Sequence, residues 1–395
     1  MLMKLRKLLH ELKPILLMVV AQLSFSGVNV FYKLASYDGM NLRVLIAYRF
    51  IFASAFLIPL ALIFERKIRP KLTKTILFQA FLCGFIGGSL TQTLYVEGLV
   101  LTSATFASAM TNLTPAVTFV LAILFGLEKM GLRTLAGKAK VMGTLLGIGG
   151  AMLLIFFKGA EIDIWSTHVN LMKLVKPHGG HVAASDSTRV LGSLLSICNC
   201  ISFSVWLIIQ AKMSANFPCP YSSAALMASV AAILQVVFTL CIDRDLSQWK
   251  LGWNIRLFTA AYAGIVVQGV TITLITWCVS IKGPLYASIF NPLQLVFSAL
   301  EGSLLIDEPL HVGSILGATL IVCGLYTVLW GKDTEAKKIS QLIPLKISEE
   351  IEIMSTTNST NSNCQNCENC NRGKVDKNLS ENIHEKEEEN TKEEA

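Results

Sequence analysis

The stretch ASIFNPLQLVFSALEGSLLIDE, Ala287 to Glu308, is apolar enough for lipid along most of its length, yet Ser288 to Gly302 within it carries an asparagine, a proline, a glutamine and a glutamate. Residues on one helix face recur at alternating steps of three and four, and from Ala287 those steps reach Asn291, Gln294, Ser298, Glu301, Leu305 and Glu308. The polar residues therefore share a face. Shifted by 180 positions, the stretch overlays ASAMTNLTPAVTFVLAILFGLE, Ala107 to Glu128, where the same steps reach Thr111, Thr114, Thr118, Leu121, Phe125 and Glu128. The same shift places Gly84 on Gly264, Thr91 on Thr271 and Thr93 on Thr273. Beyond Glu128 the shift becomes 170, with GTLLG from Gly143 over GSILG from Gly313. The chain is written twice.

Of 395 residues, 53% are hydrophobic and 15% charged, the signature of a membrane protein. A bilayer core of about 30 Å needs roughly 20 apolar residues per helix. Ten such runs occur, at 14–35, 43–63, 75–98, 103–126, 141–157, 190–210, 222–242, 256–280, 284–306 and 312–330. Five per copy is an odd number, so the second copy enters the membrane from the opposite side. The expected fold is all-α, ten transmembrane helices as two inverted five-helix repeats, a plan that places a transport site near the midplane between the halves. The expected organisation is a segment 1–13, a first repeat 14–157, a loop 158–189, a second repeat 190–330 and a disordered tail 331–395. The first run is long and lacks a small-residue cleavage site, so it reads as a retained helix.

Short basic connections stay cytosolic. The amino terminus, the connection with Arg66, Lys67, Arg69, Lys71 and Lys74, and the one with Lys129, Arg133, Lys138 and Lys140 are the rich ones. Both termini are therefore expected in the cytosol, with loop 158–189 on the other side.

An unpaired polar group in hydrocarbon costs several kcal/mol, so the two stripes must meet other helices or line a water-filled cavity. Their occurrence in both copies favours the cavity. Candidate substrate contacts are Gln92, Tyr95, Thr111, Asn291, Gln294, Gln268 and Trp206, the last an aromatic with an N–H that suits an organic solute. Gln22, Asn29 and Asn199 are lesser candidates, and Trp277 fits the interfacial belt. Pro115 and Pro292 are candidate hinges that free backbone carbonyls. Full charges in membrane territory are Lys33, Arg49, Glu97 and Glu301. The last three lie toward the outer ends of their helices, where mutual pairing and proton coupling through Glu301 or Glu97 are competing readings.

The formal charge of +7 lies in membrane-flanking loops, where anionic lipid accounts for it, and gives no nucleic-acid signal. His168, His178 and His181 lack a cysteine or carboxylate cluster, and six of the ten cysteines fall inside spans as small hydrophobes. Cys364, Cys367 and Cys370 in the tail read as idle thiols. No metal, no cofactor, no phosphate loop and no nucleophile triad is expected, which excludes an ATP-driven pump on this chain alone and an enzyme. The sequons at Asn358 and Asn378 are expected to be unused. A homo-oligomer is left open.

AYRFIFASAFLIPLALIFERKIRPKLT from Ala47, TSATFASAMTNLTPAVTFVLAILFGLEK from Thr102, KVMGTLLGIGGAMLL from Lys140, QAKMSANFPCPYSSAALM from Gln210 and the segment from Asn291 to Lys332 resemble the plant nodulin-21-like proteins. These are also called Walls-Are-Thin-related or UMAMIT transporters, in the EamA branch of the drug/metabolite transporter superfamily. The resemblance covers about residues 10–335. It implies a carrier of amino acids, or in some members auxin, in the plasma or vacuolar membrane, the plasma membrane being favoured. It also implies that helices one, three, four, six, eight and nine surround the cavity. Where the family reads Asp-Gln-Asn, this chain has Thr91, Gln92 and Thr93, so Gln92 carries over and the acidic neighbour is absent. Neutral donors and acceptors suit a zwitterion, and sparse intramembrane Lys and Arg argue against a phosphorylated substrate. The reading from another class is a non-transporting scaffold or sensor acting through its tail.

Overall fold

The computed structural model describes residues 2–101, 110–128, 134–157, 161–162, 186–243, 246–306, 310–335 and 337. Helices run along the chain as α1 (Leu2–Tyr37), α2 (Leu42–Phe64), α3 (residues 74–101), α4 (Thr114–Leu124), α5 (Leu135–Phe156), α6 (Asp186–Asn216), α7 (Pro220–Ile242), α8 (Ile255–Lys282), α9 (residues 284–306) and α10 (Val312–Glu335). Eight are long and apolar enough to cross a membrane; α4 is shorter, and α9 is built from Pro284–Ser288 and Asn291–Ile306. Residues 102–109 of the fourth run, most of loop 158–189 with its histidines, and nearly all of the second compact unit, Thr334–Ala395, lie outside the described residues.

The helix ends follow from local chemistry. Side chains of Asn41, Thr73 and Thr134 cap α2, α3 and α5 by accepting from the backbone N–H of Arg43, Ile76 and Gly137. Between α8 and α9 the chain reverses at one residue, Gly283, with φ +85°, and Pro284 starts the next helix with its φ already set. Side chains such as Leu16, Leu62, Ile63, Ile233 and Tyr326 stay exposed, the apolar surface that a bilayer covers.

Ties between helix ends respect an alternating path. At one end Arg43 (α2) pairs with Glu97 (α3) at 2.6 Å and with Asp243 after α7 at 3.3 Å, and Arg256 (α8) pairs with Asp38 after α1. At the other, Glu65 after α2 accepts from Tyr221 and Ser222 N–H at the start of α7. There too Glu128 after α4 binds Lys140 (α5) at 2.9 Å and Lys332 (α10), and Lys332 donates to the Lys282 carbonyl ending α8. Every tie joins ends that ten successive crossings bring to one side. A two-residue antiparallel ladder, Glu161–Ile162 with Leu310–His311, links the fifth and ninth connections in the same sense.

The halves meet reciprocally. Helix α3 passes through a π-helical stretch, Cys83–Leu90, and α8 through another, Tyr262–Thr271, which the 180-residue shift superimposes. A Cβ on Gly84 would stand 2.6 Å from Val230 and 2.8 Å from the Met227 carbonyl of α7. One on Gly264 would stand 2.5 Å from Phe52 and 2.8 Å from the Arg49 carbonyl of α2. The third helix of each half thus lies backbone-close against the second helix of the other, with Arg49 and Met227 in equivalent places. Glycines do the same for α5 and α10, where Gly143 faces Gly324 and Gly150 faces Gly317.

Candidate functional site

Arg49 sits seven residues into α2, roughly 10 Å along the helix. It is 2% exposed. Its Nη1 donates to Tyr32 Oη of α1 at 3.0 Å and to Gln92 Oε1 of α3 at 3.2 Å; its Nη2 donates to Gln268 Oε1 of α8 at 2.9 Å. One guanidinium therefore joins the two π-containing helices, with Gln268 inside one π-stretch and Gln92 two residues past the other. A π-turn adds a residue without adding a repeat, which turns the following side chains to a new face, and such turns cluster at functional sites. Gln92 and Gln268, both chosen from sequence, are brought together; Arg49 was singled out as an intramembrane charge and a candidate partner for a carboxylate, but its place between the two glutamines, on a helix outside the expected cavity set, was not foreseen. Its signal was present as an arginine inside an apolar run.

The pairing of Arg49, Glu97 and Glu301 with one another, open on sequence grounds, does not form. Glu97 belongs to the end cluster with Arg43, because Arg43 opens α2 beside the last turn of α3. Glu301 Oε2 accepts from Ser26 Oγ of α1 at 2.7 Å, and Ser298 Oγ lies 3.1 Å from Ser26 Oγ. Among the described residues no cation lies within ion-pair distance of Glu301.

The α9 stripe and the α4 stripe have different fates. Asn291 and Gln294 are half-buried, and among the described residues neither side chain has a hydrogen-bond partner. Gln22 is 1% exposed with both amide atoms unpartnered, one helical turn before Ser26 on the α1 face that meets α9. On α4, in contrast, Thr118 donates to Ser204 of α6 at 3.1 Å and Thr114 touches Cys200 at 3.5 Å. Those two threonines join helices, while Thr111 at the start of the stripe is half-buried. Tyr95 packs with Phe50, Val96 and Ala231. Trp206 is 1% exposed in the main apolar core, set against Gly87, and its Nε1 has no partner. Gln235 of α7, which sequence reasoning passed over, accepts from Ser89 at 2.8 Å and Thr93 at 3.2 Å.

Both prolines mark breaks. Asn112–Leu113 leave the helix just before Pro115, and Ile289–Phe290 just before Pro292, since a proline has no N–H to return and its ring crowds the preceding turn. Pro115, Pro292 and Ile289 line one small void of about 10 Å³, walled by Gly143, Gly147 and Gly324. It is room for about one water, and none of Arg49, Gln92 and Gln268 lines it. Among the described residues no three His, Cys, Asp or Glu side chains are placed to hold a metal.

Comparison with known proteins agrees with this architecture. Residues 12–156 and 190–330 each match the EamA-like transporter family. Two WAT1-related proteins of Arabidopsis thaliana are 46% identical over 328 residues and 43% identical over 329 residues, each match covering 83% of this chain and 92% of the relative. A solved crystal structure at 17% identity superimposes with a TM-score of 0.61 over 80% of this chain and 98% of its own, a likeness of fold alone. Two family matches over the two helical halves, with plant relatives of nearly full length, establish that the chain belongs to the EamA-like transporter family as a multi-pass membrane transporter related to the WAT1-related proteins.

Proposed function

We propose that this transporter moves small organic solutes, amino acids first among them, by alternating access around a site between the two five-helix repeats. The observation that carries the reading is a set of amides inside the bundle with no hydrogen-bond partner among the described residues: Asn291, Gln294 and Gln22. Each amide offers donors and acceptors without net charge, which matches a zwitterion and would be wasted as mere helix glue. Gln92 and Gln268 extend that lining across the repeat junction, with Tyr95 and Thr111 at its margin. Trp206 and its unpartnered N–H lie behind Gly87 and belong to the wall. The paired breaks at Pro115 and Pro292 supply hinges where rigid segments meet. Glu301, bound to the Ser26 hydroxyl and, among the described residues, to no cation, is the proton-coupling candidate. Basic short connections put both termini in the cytosol, with the plasma membrane the favoured location.

The test is efflux of a labelled amino-acid mixture from oocytes expressing the full chain, beside a variant with Asn291→Leu and Gln294→Leu. Efflux above control that falls at least tenfold in the variant, with equal surface protein, supports the reading. Efflux unchanged by the double substitution removes the site from α9. No efflux from the unmodified chain at the surface sinks the amino-acid reading and passes the assay to indole-3-acetate. Deleting residues 336–395 separates transport from a signalling role, because a carrier keeps its efflux without the tail.

A further inference from the structure

We infer that Arg49 is the anchor for a carboxylate on the transported solute. This deepens the transport reading and rests on it. Guanidinium stays protonated in proteins, so a 2% exposed Arg49 is a buried positive charge. A buried charge is stabilised by an opposite charge or by a full set of hydrogen bonds. Arg49 has neither. Its three acceptors, Tyr32 Oη, Gln92 Oε1 and Gln268 Oε1, are neutral, its Nε is buried without a partner, and no described carboxylate pairs with it.

The same fold treats described cations near the helix ends differently. Arg43 has Glu97 and Asp243, Arg256 has Asp38, and Lys140, 1% exposed, has Glu128. Carboxylates are supplied at both ends of the bundle and withheld at the junction of the repeats. The neutral oxygens act as stand-ins that hold the guanidinium in place and can yield, and the buried, unpartnered Nε remains a donor that, once they yield, would join a neighbouring Nη in binding a planar carboxylate through two parallel hydrogen bonds. When a carboxylate takes those donors, the oxygens of Gln92 and Gln268 are left as acceptors a few ångströms away, placed for an α-ammonium. The chemistry defined is a monocarboxylate, and a zwitterionic one satisfies more of the site than a simple acid.

The measurement is thermal unfolding of the purified full chain in detergent against the twenty standard amino acids and indole-3-acetate, each beside its carboxamide at equal concentration. At least one acid is expected to raise the midpoint while its amide, identical in shape and lacking the charge, shows at least tenfold weaker stabilisation. Arg49→Lys should weaken the preference for acid over amide, and Arg49→Gln should abolish it. An acid and its amide acting alike, a preference that survives Arg49→Gln, or no acid of the set acting at all overturns the anchor. If Arg49→Gln does not fold, the acid–amide comparison on the unmodified chain decides alone. The two readings fail separately: efflux of acid and amide alike keeps the transporter and removes the anchor, whereas absence of any efflux removes the amino-acid transport reading.

Discussion

At Glu301 a carboxylate inside the bundle meets the Ser26 hydroxyl at 2.7 Å and no described cation. Glu301→Gln keeps an oxygen for that hydroxyl and removes the titration, so the variant should fold with little change in stability. If Glu301 couples protons, the dependence of efflux on external pH should flatten while transport at the favourable pH persists, and efflux at two pH values checks it. Asn291, Gln294 and Glu301 were legible as one face because helical period depends only on spacing. What the face would meet was not. Thr114 and Thr118 show the same period and end as partners of α6, and only the packing of α4 against α6 separates the two cases. Arg49 was visible as a charge in an apolar run, but its acceptors come from three helices and residues as far as 219 positions away.

Each π-stretch is an element-scale feature that apolar composition hides. The glycine spacing of α3 reads as close packing, and close packing is there, yet the added turn that rotates Gln92 toward Arg49 has no spacing of its own. A Cβ at Gly87 would fall 2.2 Å from Trp206 Cγ, and the indole is fully buried with no room to retreat. Gly87→Ala should therefore destabilise the bundle by about 1–3 kcal/mol, read as a lowered thermal midpoint in detergent. Pro292→Ala works on the other kind of break. Restoring an N–H lets α9 close the gap at Ile289–Phe290 and continue straight, so stability should hold or rise while the transport rate falls several-fold. A rate unchanged beside a raised midpoint would deny Pro292 its hinge role.

Over the whole molecule, ten apolar runs and a five-helix repeat were legible, since the bilayer imposes length and polarity on every crossing. Boundaries drifted where helices extend past the apolar core: α6 reaches from Asp186 to Asn216 and α1 begins at Leu2. The clusters at the ends of the bundle were not legible, because charges near helix ends satisfy the orientation rule without naming partners. One of them carries a pH prediction. Burial alone would raise the Glu128 carboxyl, but Lys332 and Lys140 hold it below its ordinary value of 4.5. Its contribution is therefore complete above the ordinary carboxylate range and is lost as pH falls through the depressed folded value. Glu128→Gln should remove about 3–5 kcal/mol at neutral pH, because it deprives a buried Lys140 of its carboxylate, and should flatten the acid limb of the stability profile. Thermal midpoints of both proteins from pH 3 to 7 provide the check.

Met227 occupies in one half the place that Arg49 occupies in the other. A carrier of two equal halves would be as stable open to one side as to the other, and its empty form would divide its time evenly. If the carrier alternates as proposed, the exchange of inward and outward forms would carry Arg49 past unlike surroundings, and the two forms would differ in energy when nothing is bound. The vacant carrier would then have a resting side, and its uptake and release constants for one solute would not need to match, even with no ion driving it.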